Sequence, residues 1–243
     1  MAFHRKFERL LQLRPDIAVV PECADPNVLA RKAPGFAPTT QTWIGDNPNK
    51  GLGVFTFGSY CGSLAPIYRP DFPYLAPVNI SGPVQLNLIA VWACHNRPNS
   101  FVAGLGPLKR AIVAYRNFIQ EGPAVVAGDL NDNVLWDRPA KINNHASNVA
   151  DLEALGLRSA YHASRRVPQG SENEKTLYWR DRTEHGPSYH IDYCFVPAEW
   201  IKSISSVIVG RYDDWVGSKL SDHVPLVVEI NQRRPHLSLN VAN

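Results

Sequence analysis

The chain has 243 residues, 44 % of them hydrophobic and 19 % charged, and a net charge of +3 at neutral pH, with a pI near 8.7. That composition supplies a sizeable core and excludes a disordered chain. The mild basicity is too weak to indicate nucleic-acid binding by itself and is compatible with any phosphate-bearing substrate.

Phe3, Phe7, Leu10 and Leu11 recur at helical spacing, which predicts an opening amphipathic helix that Pro15 ends. Charges interleave with its apolar residues, so it reads as neither a signal peptide nor a membrane span, and a cytoplasmic location is expected. A strand over 17–20 follows. Residues 24–50, rich in Pro, Asn and Gly, read as a long loop, with strands next at 52–57 and 84–94.

Leu108, Ala111, Ile112, Tyr115 and Ile119 predict a second helix, closed by Gly122-Pro123 ahead of a buried strand over 123–127. A third helix is expected over about 146–155, with Gly156 as its C-terminal cap. Strand-like stretches recur at 176–179, 190–196, 206–209 and 224–230. Nothing in composition divides the chain, so residues 1–243 are expected to form one domain. Cys23, Cys61, Cys94 and Cys194 are scattered without a CxxC pair and read as reduced packing residues.

Several of these apolar runs border ionisable side chains. Pro21-Glu22, Cys94-His95 and Gly128-Asp129-Leu130-Asn131 follow strands, and Ser221-Asp222-His223 precedes one. Asp192, within Ile191-Asp192-Tyr193, falls inside a strand pattern, where a charge is costly unless paired or metal-bound. Strands interspersed with two or three helices fit an α/β sandwich of two sheets with helices outside. A doubly wound nucleotide fold would need a Gly-rich phosphate loop after its first strand, and this sequence has none. Each string alone also has a plainer reading, because Gly, Asp and Asn build turns. His4, His145, His162, His185, His190 and His236 have no partner motif and read as surface or loop residues. The segment 162–190, where Arg and Lys are partly offset by Glu and Asp, reads as a solvated loop.

Taken together and in order, the five strings resemble the endonuclease/exonuclease/phosphatase family of metal-dependent phosphoesterases over roughly residues 16 to 230. The resemblance implies a four-layered α/β sandwich of two mostly antiparallel sheets with outer helices. It implies a divalent metal, Mg²⁺ or alternatively Mn²⁺, and hydrolysis of a phosphoester by an activated water. Glu22 is similar to the metal-binding glutamate, and Asp222 to a second oxygen ligand. Asp129 resembles the aspartate that orients and deprotonates the water, with Asn131 holding water or phosphate in line. His223 resembles the imidazole on the scissile phosphate and Asp192 the carboxylate that orients and charges it. His95 resembles the histidine that phosphodiesterase and deoxyribonuclease branches place on the leaving-group side. Tyr178 and Arg180 lie in a stretch similar to the one that lines substrate in relatives, although aromatic strand residues read first as core.

The implied partner is a phosphoester substrate, small molecule or nucleic acid. A phosphodiesterase or phosphatase is the leading expectation and a DNA or RNA nuclease its nearest alternative. A non-catalytic binding module truncated at its N-terminus is the alternative from another class. One departure stands out. Family members usually open with a strand that carries an asparagine near the metal, whereas Met1-Ala2-Phe3-His4 already opens a helix here. The first strand is therefore expected to be missing, with the chain starting at an internal methionine.

Overall fold

The computed structural model describes residues 3–94, 106–138, 144–179 and 182–231. The expected opening helix is a 3₁₀ turn, Phe3–Arg5, followed by α1 (Phe7–Gln12), and β1 (Ile17–Cys23) comes next. Phe3 is buried because its ring stacks on Phe55, 5.5 Å away.

The loop expected over 24–50 is instead largely ordered into α2 (Pro26–Lys32) and β2 (Thr40–Asn47). Asp25 caps α2 by accepting the Val28 N–H at 2.7 Å, and Pro26 sits in the first turn, where its missing N–H costs nothing. β2 pairs antiparallel with β3 (Lys50–Thr56). Its pattern of exposed and half-buried residues explains why no apolar alternation marked it.

β4 (Cys61–Leu64), β5 (Leu75–Ser81) and β6 (Leu86–Trp92) follow. The second expected helix divides at Tyr115 into α3 (Pro107–Ala114) and α4 (Arg116–Gln120). Next come β7 (Ala124–Asp129), a 3₁₀ turn at Val134–Trp136, α5 (His145–Ala154), β8 (Leu157–Ser159) and α6 (Ala160–Arg165). Gly156, at φ +83°, turns the chain just after α5, as its expected cap role requires. The remaining strands are β9 (Leu177–Tyr178), β10 (Ser188–Tyr189), β11 (Asp192–Pro197), β12 (Ile204–Val209) and β13 (Leu226–Ile230).

One sheet has the order β4-β5-β6-β7-β11-β8, antiparallel except for the parallel β6–β7 pair. The facing layer is β1-β3-β2 together with the pair β12-β13. β1 packs over β6 and β7, and β13 over β11. Leu108, Ala111 and Ile112 of α3 and Leu152 of α5 bury against Ile89, Val91, Val126 and Phe195 on one outer side. Phe3, Val28 and Leu29 pack with Val20 and Phe55 on the other. Helix, sheet, sheet and helix give the four-layered α/β sandwich expected from the sequence. Because β6 and β7 are parallel, residues after Trp92 and the turn at Asp129 emerge at the same sheet end. Among the described residues no helix is long and apolar enough to cross a membrane.

Two further expectations fail. His145, His162 and His190 are buried rather than on the surface. Their rings pack around Tyr193, and His162 bonds both Ser159 Oγ, at 2.8 Å, and Glu172 Oε1, at 2.9 Å. The segment 162–190 is correspondingly anchored: Glu172 is 4 % exposed and Arg165 is paired with Glu174 at 2.7 Å. Burial of aromatic and imidazole surface outweighs the polar look of this stretch.

Candidate active site

The site forms where β1, β7, β11 and the turn before β13 end together, on the lining of a cavity of about 590 Å³ that Glu22, Asp129, Asp192, Asp222 and His223 share. Five residues from four segments of sequence thus converge, each for a local reason.

Glu22 occupies a bulge in β1, where register with β3 shifts between Val20 and Cys23 and Glu22 takes φ 56°. Bulges re-aim side chains in this way. Burial opposes ionisation of Glu22, yet hydrogen bonds, one of them in an ion pair with Lys50 at 2.9 Å, bring its pKa down to about 2.

Asp129 ends β7 directly opposite Asp192 of β11, so two carboxylates meet across neighbouring strands. The preceding Gly128 makes this possible. At φ +135° its backbone lies so close to β6 that a Cβ would stand 2.0 Å from the Val91 carbonyl oxygen, a conformation and contact that only glycine tolerates. Asn131, in the left-handed region at φ 48°, turns back to donate its backbone N–H to Asp129 Oδ1 at 2.8 Å and its side-chain amide to Oδ2 at 3.0 Å. Burial and the nearby Asp192 raise the Asp129 pKa, against the pull of His223 and Asn131.

His223 Nδ1 lies 2.9 Å from Asp192 Oδ2. Burial disfavours its charge, but Asp192, with Asp129 and Asp222 behind it, prevails and lifts the pKa to about 9. Imidazolium is therefore the form held at neutral pH. Ligand atoms of Asp129, Asp192 and His223 lie within 4.8 Å of one another. Glu22 and Asp222 stand outside that tight group and face cations instead, Asp222 pairing with Arg182 at 3.2 Å.

Tyr178 packs on Tyr212, with ring centroids 4.9 Å apart, beside Trp215, Val216 and Val224, which fits its core reading. His95 and Arg180 lie outside the described residues. Two supporting hydroxyls were given no role by the sequence. Thr176, fully buried, accepts the N–H groups of both Ile191 and Asp192 at its hydroxyl, at 3.0 and 3.1 Å, and so fixes the strand end that carries Asp192. Ser221 accepts from Lys6 Nζ at 3.1 Å and from the His223 N–H at 3.2 Å. A hydroxyl becomes informative only once its partners are known.

No protein-family model matches the chain, and no curated protein matches its sequence. Solved structures do match. An AP endonuclease from Archaeoglobus fulgidus superposes with a TM-score of 0.67 at 16 % identity, covering 94 % of each chain. The 3′ phosphatase NExo from Neisseria, bound to a product DNA hairpin, gives 0.61 at 16 % identity over 95 % of this chain and 96 % of that one. An endonuclease/exonuclease/phosphatase from Beutenbergia cavernae gives 0.56 at 16 % identity over 93 % and 64 %. The chain thus has the fold of endonuclease/exonuclease/phosphatase-type proteins.

Proposed function

We propose that the protein hydrolyses phosphoester bonds with the help of a divalent cation, Mg²⁺ or Mn²⁺. The observation that carries the reading is the convergence of Asp129, Asp192 and His223 within one cavity, with their ligand atoms no more than 4.8 Å apart. The site fits a hard cation, because Glu22, Asp129, Asp192 and Asp222 on the cavity lining are all carboxylates. Glu22 and Asp222 would hold the ion, with Lys50 and Arg182 supplying the balancing charge without it. When bound, such an ion neutralises charge building on the phosphoryl oxygens.

The chain's own residues supply the rest. Asp129, its pKa raised and both oxygens steered by Asn131, is suited to take a proton from water near neutral pH. His223, kept cationic by Asp192, presents positive charge to a scissile phosphate.

A small-molecule phosphodiesterase or phosphatase and a nuclease are both compatible with this chemistry. One observation favours a nucleic acid: Trp136 (41 % exposed) and Trp179 (48 % exposed) flank Tyr189, with ring centroids 4.8 and 6.4 Å away. An exposed ring group of this kind suits stacking of unpaired bases. The solved nucleases and phosphatases of this fold are in keeping with either reading. The test is a panel of phosphomonoesters, small phosphodiesters, DNA and RNA, run on wild type and Asp129→Ala with metal and with chelator. Metal-dependent turnover lost in the variant supports the proposal. No turnover on any substrate, with retained binding of a partner, would instead favour a non-catalytic module.

A further inference from the structure

Lys6, a residue that periodicity groups with the ordinary charges of the opening helix, lies on the lining of the active-site cavity with Glu22, Asp129, Asp192, Asp222 and His223. Its segment is pinned on both sides. The Phe3 ring packs against Phe55 and Phe36, with centroids 5.5 and 5.1 Å apart, and Phe7 packs against Phe36 at 5.9 Å. Lys6 stands where the 3₁₀ turn passes into α1. Its N–H donates to the Phe3 carbonyl at 2.9 Å, and its own carbonyl accepts from the Leu10 N–H at 3.1 Å. The backbone beneath the side chain is thereby fixed, and the ammonium reaches Ser221 Oγ, 3.1 Å away and 215 residues on in the chain.

An ammonium withdrawn from water ordinarily pairs with a carboxylate. This one does not. Among the described residues Ser221 is its one hydrogen-bond partner, and it forms no ion pair. The acids around it have other partners: Asp192 has His223 at 2.9 Å, Asp222 has Arg182 at 3.2 Å and Glu22 has Lys50 at 2.9 Å. Burial disfavours the Lys6 charge, and attraction to Asp222, Glu22 and Asp192 offsets that only in part. An ammonium has three N–H donors, and Ser221 takes one. Two are left for a group that brings its own negative charge into the cavity.

Ser221 Oγ also accepts the His223 N–H, at 3.2 Å, so one hydroxyl ties Lys6 to the turn that carries the catalytic imidazole. We infer that Lys6 is a phosphate-binding residue of this site, its ammonium donating to a non-bridging oxygen of the substrate's phosphoryl group beside His223. The identity of the anion rests on the reading of the protein as a phosphoester hydrolase. Lysine binds phosphate as a point charge. Ser221 holds that charge in place without neutralising it, so it stays available as charge builds on the phosphoryl oxygens. A plain tie between α1 and the 221–223 turn would account for the Ser221 bond but not for a cation lacking a counter-ion.

Inorganic phosphate is the probe, with Mg²⁺ present. In the unaltered protein, phosphate at ~10 times its Kd should slow acetylation of the Lys6 amine about 10-fold by peptide mapping. Lys202, exposed beyond the far end of β11, should be acetylated equally with and without it. Calorimetry should show phosphate binding weakened ~10- to 100-fold in Lys6→Met and unchanged in Lys202→Met. On any phosphoester that the wild type hydrolyses, Lys6→Met should lower kcat ~10²-fold. Lys6→Arg should recover part of that loss, and free propylamine should partly restore Lys6→Ala, which an untethered amine could not do for a helix-to-turn tie. Equal acetylation of Lys6 with and without phosphate would overturn the inference, as would wild-type phosphate affinity in folded Lys6→Met or failure of both rescues. Hydrolysis at the wild-type rate in Lys6→Met would remove Lys6 and leave the hydrolase reading standing. Phosphate protection of Lys6 without turnover of any substrate would keep the anion contact and remove the hydrolase reading.

Discussion

Gly128→Ala isolates how closely two strands must approach for Asp129 to reach its place. The added Cβ would lie 2.0 Å from the Val91 carbonyl oxygen, 2.9 Å from its carbon and 3.1 Å from the Val91 nitrogen. Carbon–oxygen contacts in sheets rarely fall below ~3.3 Å, so β7 must retreat from β6 by about 1.3 Å. The residue must also hold a φ of +135°, or relax away from it. Backbone strain of this kind costs ~1–3 kcal/mol and overpacking a similar amount, and together we expect a loss of about 3 kcal/mol. For a chain of this size that lowers Tm by roughly 6–12 °C. Asp129 is the next residue, and a displacement of ~1 Å at a reacting group costs on the order of 10² in rate. The measurements are a thermal melt and initial rates of metal-dependent phosphoester hydrolysis. Gly122→Ala is the control, since no atom lies within 4 Å of its would-be Cβ. A Gly128→Ala protein that melts with wild type and turns over at the wild-type rate would refute the close-approach argument. The melting arm tests it whatever the substrate proves to be.

Asp129→Ala should keep the fold and reduce hydrolysis ~10²- to 10⁴-fold, the usual range for losing one acid–base group; activity within threefold of wild type would remove Asp129 from the chemistry. Thr176→Val should strand the Ile191 and Asp192 N–H groups without their shared acceptor and cost ~2–4 kcal/mol in denaturant titration, with Thr176→Ser restoring most of it. Glu172 carries a stability signature in acid: burial opposes its charge, but His162 and the Gly170 N–H hold its pKa at about 2 against an ordinary 4.5. A depressed carboxylate stabilises the fold above its unfolded pKa, so this contribution of roughly 3 kcal/mol should be complete near neutral pH and fade between about pH 4.5 and 2. Stability curves of wild type and Glu172→Gln should therefore converge toward pH 2, and parallel curves would count against the assignment. Chelation should abolish hydrolysis and fresh Mg²⁺ or Mn²⁺ restore it; full activity in chelator would exclude the metal-assisted reading.

Much of the site was legible because its pieces are local. Apolar runs that end in Glu22 and in Asp129 with Asn131, and one that begins after Asp222 with His223, declare strand ends that bear polar groups, since one sheet edge collects what its strands deliver. The buried strands β6, β7 and β11 were legible for the same reason: continuous apolar runs survive without knowledge of their neighbours. β2 was not, because as a partly exposed outer strand it carries Thr, Gln and Asp where alternation should show. α2 was hidden by its shortness, seven residues held by the Asp25 cap.

The tertiary structure alone decided the rest. That Asp192 lies across from Asp129, that their repulsion and burial push one acid toward neutrality while His223 stays charged, and that Thr176 secures the strand end all depend on pairings up to tens of residues apart in the chain. The burial of His145, His162 and His190 is of the same kind. Periodicity reports only which face of a segment is apolar. Protonation state, and the worth of a hydroxyl or an imidazole, are set by Coulomb and desolvation energies among groups that only folding brings together.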